Sequence, residues 1–213
     1  MSLEDDVATV LAAIEKRASP AKPRTLIGIA GPPGAGKSTL AEAVVAKLNN
    51  KDAETACLVP MDGFHLDNAI LRQRGLLAQK GSPQTFDAYG FVDLVRRVTK
   101  LDAPVYYPVF DRDRDIAIAG VGFVKIDTGI VVVEGNYLLL ENEPWSQLAS
   151  CFDMTVMLNP GLDTLRKRLI QRWRDQGIDD EKATERALSN DIPNAQFVIA
   201  HSAAADVQLY NKA

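Results

Sequence analysis

The chain is short of several things, and each shortage closes off a class of protein. Among 213 residues there are two cysteines and two histidines, too few and too scattered for a disulfide framework or a His/Cys metal centre. Cys57, inside an apolar run, and Cys151, just before another, therefore read as reduced core residues. No apolar run approaches the ~20 residues that a membrane-spanning helix needs, and the opening MSLEDDVATVL is acidic where a signal peptide is basic. The expectation is a cytoplasmic protein with no membrane partner. Positive charge is not in excess either: 24 Lys and Arg face 28 Asp and Glu, a formal net charge of −4, which argues against a nucleic-acid partner. Any anionic ligand must then be held by local geometry. No internal repeat, low-complexity tract or Pro/Gly/Ser-rich linker is present, so residues 1–213 read as one domain, with 46% hydrophobic residues to build its core.

What is there alternates in period. Val7, Val10, Leu11 and Ile14 recur at helical spacing, which predicts an amphipathic helix over 4–18 that stops before Ser19-Pro20, the N-terminal element of 1–20. Residues 24–30 (RTLIGIA) read as a buried strand, and helical periodicity resumes over 37–49 through Leu40, Val44, Val45 and Leu48. Further strands are predicted at 55–60, 104–109, 130–134, 152–158 and around 206–209. Helices are predicted at 67–74, 87–100, 143–150, 161–176, 179–190 and 193–201. Short β-rich runs between helices imply βαβ units and a mostly parallel sheet covered on both faces, a three-layer α/β fold. Residues 116–126 (IAIAGVGFVKI) alternate around two glycines and read as a β-hairpin, the tip of an acceptor-side insertion over 104–126.

Between the first strand and its helix, Gly31-Pro32-Pro33-Gly34-Ala35-Gly36-Lys37-Ser38-Thr39 fits GxxxxGK[ST] in the strand-loop-helix context that motif requires. The glycines let successive N–H groups curl inward onto phosphate oxygens, and the helix adds its positive end. Lys37 would reach the β- and γ-phosphates and Ser38 would ligate Mg²⁺, so the expected cofactors are ATP and Mg²⁺. Glu134 ends the most apolar run, IVVVE, and so emerges at the carboxyl edge of a parallel sheet, placed to hold the metal or a metal-bound water. Asp62 follows the apolar run 57–61 and, if its strand lies near the first, faces the γ-phosphate as general base for an acceptor hydroxyl. His65, two residues on from the Asp62-Gly63 turn, is a candidate acceptor contact. In 165–177 (LRKRLIQRWRDQG), Arg166, Lys167, Arg168, Arg172 and Arg174 surround the apolar stripe Leu165, Leu169 and Trp173. Arg168 and Arg172, four apart, share a face. The segment 165–180 reads either as a solvated helix face or as a lid whose cations close over the phosphates and exclude water.

Several stretches together resemble one family, the phosphoribulokinase and uridine kinase group of P-loop kinases, with bacterial pantothenate kinase as a relative. Asp62-Gly63-Phe64 is similar to the family's strand-end acid, small residue and aromatic. Lys80 to Asp87 (KGSPQTFD) resembles the pantothenate kinase stretch KGFPESYD. Pro108-Val109-Phe110-Asp111-Arg112 resembles its acceptor segment PVYSH or PVYDF, Val133-Glu134-Gly135-Asn136 resembles its strand-end EG motif, and RWRDQG is similar to KFREG, whose Arg matches Arg174. The resemblance covers roughly 24–209. It implies a kinase that moves the ATP γ-phosphoryl group to a hydroxyl of a small metabolite, with Lys37, Asp62 and Arg174 catalytic, Arg168 and Arg172 on the nucleotide, and His65, Tyr107, Asp111, Arg112 and Asn136 on the acceptor. It also implies a homodimer as one assembly that family members adopt. Two departures bear on the acceptor: Phe110 stands where relatives carry a Tyr, and Arg112 where pantothenate kinase carries a His. Compact bacterial relatives with similar wording are provisionally named fructokinase, so a sugar such as fructose joins a nucleoside and a pantothenate-like molecule as expected acceptors. The alternative, a nucleotide-dependent ATPase or switch acting through a partner, finds no water-positioning Gln near the cradle and no NKxD motif.

Overall fold

The computed structural model describes residues 2–17, 22–51, 55–100 and 102–210. Helix α1 (Leu3–Arg17) carries acids in its first turn and Lys16 and Arg17 in its last, matching the helix dipole, and buries Val7, Val10 and Ile14. The predicted stop at Ser19-Pro20 lies outside the described residues. Strand β1 (Thr25–Ala30) is buried at every position and runs through the loop 31–36 into α2 (Lys37–Lys51). Then come β2 (Ala56–Pro60), α3 (Asn68–Gln73) and α4 (Ala88–Val98). The two helices start where Asp67 and Asp87 accept from the backbone N–H groups of Ala69 and Gly90, ordinary N-caps.

Strands β3 (Val105–Asp111) and β4 (Ile116–Val124) precede β5 (Ile130–Gly135) and β6 (Met154–Leu158). The chain closes with α5 (Leu162–Asp175), α6 (Asp180–Arg186), α7 (Ile192–His201) and β7 (Val207–Leu209). Five strands form a parallel sheet in the order β2-β5-β1-β6-β7. One face packs on α4 and the 137–148 segment through Phe91, Val95, Tyr137, Leu138 and Leu148. The other packs on α1, α2 and α5 through Val10, Ile14, Leu40, Val44, Leu165 and Leu169. Each such side chain contributes about 1.5–3 kcal/mol relative to exposure, so helices on both faces make the three layers. Among the described residues no helix is long and apolar enough to cross a membrane.

Three expectations are corrected. Residues 104–109 do not join the main sheet, and 116–126 is not a hairpin by itself: β3 pairs antiparallel with β4 as a separate two-stranded ribbon. The reason is non-local. The two runs bury one face and leave Tyr106, Val121 and Phe123 exposed on the other, which suits a ribbon lying on the domain, and the register shifts between Tyr107 and Val109, where Pro108 has no N–H for the ladder. Second, β2 does not neighbour β1, since β5 lies between them. Third, 143–150 forms only the single turn Trp145–Leu148, whereas the predicted break after 190 is bridged by a π-helical turn, Ala187–Asp191, that carries α6 into α7.

Candidate active site

The loop after β1 curls because Gly34 and Gly36 hold φ of 77° and 93°, a left-handed region that side chains with a Cβ avoid. Pro33, Gly34 and Gly36 to Thr39 line a cleft of about 600 Å³, with Gly31, Pro32 and Ala35 buried behind them. Lys37 folds back over the loop and its Nζ donates to the Pro32 carbonyl at 3.1 Å. Burial pulls this ammonium below its ordinary range, against the opposing pull of Glu134 and Asp62. Ser38 Oγ donates to Glu134 Oε1 at 3.3 Å.

Glu134 is positioned by register. It stands beside Ile29 of β1 and Pro60 of β2, so the strand between the cradle and Asp62 carries its own acid at the same height. It is 5% exposed, and burial lifts its carboxyl to about 7 against Lys37 and the Ser38 hydrogen bond. A hydroxyl and a carboxylate at this spacing are an all-oxygen donor pair, the set that suits Mg²⁺ bound between one or two protein groups and substrate phosphates. No cluster of three or more His, Cys, Asp or Glu that could cage a metal occurs among the described residues.

Asp62 sits on the turn Met61–Phe64 that follows β2 and lines the same cleft as Lys37 and Glu134. Its Oδ2 accepts from Arg112 at 2.8 Å, so the hairpin tip reaches back to the sheet edge. The turn lies against the hairpin so closely that a Cβ on Gly63 would overlap the Pro108 carbonyl. His65, Asn136, Arg112 and Arg172 also line the cleft.

Three expected site residues lie elsewhere. Tyr107 does not reach the cleft: it is buried under the hairpin and its hydroxyl donates to the Leu58 carbonyl at 2.6 Å, tying the ribbon to β2. Asp111 turns into its own hairpin turn, accepting from the Arg114 N–H at 3.0 Å and pairing with its guanidinium at 3.3 Å. Arg174 points to Asp180 at 2.8 Å, away from the cleft lining. Arg168 hangs over the cradle, its Nη1 3.3 Å from the Ala35 carbonyl.

Residues to which the sequence assigns no site role complete the site. Asp191, on the π-helical turn, accepts from Arg172 Nη2 at 3.1 Å on both oxygens and from Trp173 Nε1 at 2.6 Å. The Trp173 ring lies against the Arg172 and Arg186 guanidiniums and lines the cleft, rather than serving only the helix stripe. Lys80, Asn68 and Asp115 form a second net on the acceptor side.

A parallel sheet with a glycine cradle at one strand tip, a lysine in that cradle and acids on the next two strands defines a P-loop kinase, a phosphotransferase with an alcohol group as acceptor. The model of the Phosphoribulokinase / Uridine kinase family matches residues 26–209, and the chain belongs to that family. A Schizosaccharomyces pombe relative named "Putative uridine kinase" is 36% identical over 195 residues, 87% of this chain and 83% of its own length. YggC of Escherichia coli is 33% identical over 186 residues, 86% of this chain and 76% of its own. The crystal structure of a "putative fructose transport system kinase" from Silicibacter sp. TM1040 superposes with a TM-score of 0.88 at 42% identity, over 98% of each chain.

Proposed function

We propose that the chain transfers the γ-phosphoryl group of ATP to a hydroxyl of a small metabolite, with Asp62 as general base. The observation that carries this reading is the convergence of Lys37, Ser38, Glu134 and Asp62 on one cleft of about 600 Å³, whose lining the hairpin completes with Phe110, Arg112 and Asp115. The cradle and the start of α2 hold the β- and γ-phosphates, and Lys37 supplies a buried cation beside them. Ser38 and Glu134 would hold Mg²⁺, which neutralises charge on the transferring group.

Asp62 Oδ2 is taken by Arg112, while Oδ1 has no donor among the described residues and is open to orient the acceptor hydroxyl. That oxygen attacks the γ-phosphorus, the bond from phosphorus to the β–γ bridging oxygen breaks, ADP leaves, and the hydroxyl proton passes to Asp62. Arg168 and Arg172 face the phosphates from α5, and closure of 165–180 would exclude the water that competes with the acceptor. Arg174 joins them only by leaving Asp180. The names carried by relatives make a sugar and a nucleoside the first acceptors to try.

Replacing the base tests the reading. Asp62→Asn is expected to leave ATP affinity within a few-fold while lowering turnover by roughly 10² or more, read by ADP release and by nucleotide titration on the same preparation. Turnover close to the parent would return Asp62 to the status of a turn residue.

A further inference from the structure

The hairpin of β3 and β4 carries Phe110 and Arg112 into the cleft, and it is fastened to the domain at its base and at its tip. At the base the Tyr107 hydroxyl reaches the Leu58 carbonyl and Pro108 lies on Gly63. At the tip stands Asp115. Its φ is 57°, and among the described residues it is the one non-glycine residue in the left-handed region, where a Cβ is disfavoured and Asp is tolerated better than most. Glycine would suit this turn with less strain, so a side chain kept there calls for a reason.

Its contacts supply one. Asp115 Oδ1 accepts from Lys80 Nζ at 2.8 Å and Oδ2 accepts from Asn68 Nδ2 at 2.7 Å. The same ammonium donates to the Asp115 carbonyl at 3.1 Å and to Asn68 Oδ1 at 2.7 Å, which uses all three of its donors. The Lys80 side chain is 13% exposed, and Nζ lies 5.1 Å from the centre of the Phe110 ring. Burial opposes the charge on Asp115, but the hydrogen bonds from Asn68 and Lys80 hold its carboxyl below the usual carboxylate range. Lys80 is itself anchored: its carbonyl accepts from Asn190 Nδ2 at 3.1 Å, and that of Gly81 accepts from Asn194 Nδ2 at 3.0 Å and from the Tyr137 hydroxyl. One lysine thus joins the hairpin tip to α3 and, through its own backbone, to the π-helical turn and α7. An exposed ion pair alone contributes little. Here a mostly buried ammonium and shared hydrogen bonds fix the geometry.

Between base and tip lies Arg112. Its side chain is 61% exposed and pairs with Asp62 Oδ2 at 2.8 Å. A long, exposed side chain keeps such a place only when the backbone beneath it is held.

We infer that Lys80 and Asp115 are positioning residues: their ion pair fixes the hairpin tip so that Arg112 holds one oxygen of Asp62 and leaves the other turned to the acceptor. This rests on the kinase reading of the same cleft.

Two variants break the pair from opposite sides. Asp115→Gly removes the carboxylate and suits the left-handed turn, whereas Lys80→Met removes the ammonium and leaves the turn as it is. Hydrogen exchange read by mass spectrometry needs no acceptor: in both variants the amides of 109–118 are expected to exchange about tenfold or more faster than in the parent, with those of β1 and α2 unchanged. Turnover is read by a coupled ADP assay with MgATP, using whichever of D-fructose, glycerol, uridine, glycerate and pantothenate the parent accepts best. Each variant is expected to lower kcat about tenfold or more while the KM for ATP stays within about twofold. The double variant should fall no further than the worse single one, as two halves of one interaction do. In an Arg112→Ala background, Asp115→Gly is expected to cost less than about threefold more, a dependence on Arg112 that a merely structural contact would not produce. Parent-like exchange at the tip, parent-like kcat in either folded variant, losses that multiply in the double variant, or an undiminished loss in Arg112→Ala would overturn the inference and leave the kinase reading standing. No acceptor-dependent ADP release from the parent would overturn the kinase reading and the positioning role with it.

Discussion

Glu134 shows what the site asks of single residues. A carboxylate at 5% exposure is held against its desolvation by one buried lysine and one hydroxyl, and burial still lifts its pKa to about 7. Such a group destabilises the empty protein and is retained for what it binds. Glu134→Gln keeps the shape and an acceptor for Ser38 but removes the buried charge. In nucleotide- and metal-free buffer it is expected to raise Tm by several degrees, about 2–4 °C for each kcal/mol relieved in a domain of this size, while kinase turnover falls by roughly 10². A lower Tm together with full activity would show Glu134 to be an ordinary hydrogen-bonded core acid. The cysteines sit at the opposite extreme, Cys57 half-buried and Cys151 buried, neither with a task. Burial pushes the Cys57 thiol from 9.0 up to about 11 and raises that of Cys151 as well. A raised thiol pKa means that the folded state holds the proton more tightly, so folding opposes thiolate formation until pH climbs through about 11. At pH near 9 both cysteines are expected to resist iodoacetamide in the native protein and to label after unfolding, as mass spectrometry of the two samples would show.

The elements that the sequence made legible are those whose signal is local. The run TLIGIA, the glycine loop and the helix from Lys37 lie in one continuous stretch, so the cradle and its lysine could be read directly. Asp62 and Glu134 follow from strand ends in the same way. The hairpin could not be read so, because its partner strand is set by contacts far along the chain: 104–109 looked like one more sheet strand until the Tyr107 hydroxyl met the Leu58 carbonyl. Side-chain direction was hidden for the same reason. Asp111 and Arg174 have the right chemistry for the site, but each finds a charged neighbour, Arg114 or Asp180, that turns it elsewhere. Asp191 was invisible because a π-helical turn, not an unbroken α-helical ladder, aims it at α5; such turns often mark functional sites. The joint between hairpin and sheet edge is Gly63, where any Cβ would collide with backbone atoms of Pro108. Neither side can yield by a rotamer change, so Gly63→Ala must lift the hairpin or shift Asp62. It is expected to cut turnover by an order of magnitude or more and to lower Tm, with ATP affinity nearly preserved because the cradle lies two strands away. Equal damage to ATP binding would mean that hairpin and cradle do not behave as separate parts.

On the scale of the whole molecule, the cleft lies between a buried sheet edge with the cradle and the helix α5, whose first half packs on the core through Leu165 and Leu169 and whose arginine-bearing second half is held by ion pairs. Arg172 is held by Asp191 and Arg174 by Asp180, contacts that phosphate oxygens, carrying more charge, can replace. Trp173 is tied to the same Asp191 and lies against the Arg172 and Arg186 guanidiniums, so exchange of Arg172 onto the nucleotide changes its surroundings. Trp145, the second tryptophan, is buried in the core beneath α4 and should not sense the event. MgATP is therefore expected to change tryptophan emission in the parent and in Trp145→Phe, and to leave Trp173→Phe silent. The same binding must raise stability by mass action, about 2.7 kcal/mol at a hundredfold excess over Kd, or roughly 5–10 °C in Tm for a chain of this length. Lys37→Met removes the ammonium that offsets the burial of Glu134, so its apo Tm should fall by a few degrees, while both the emission change and the thermal shift with MgATP disappear. If MgATP stabilises the parent fully but Trp173 stays silent, nucleotide binding stands and movement of α5 does not, which would remove the lid from the mechanism and leave water exclusion to the acceptor itself.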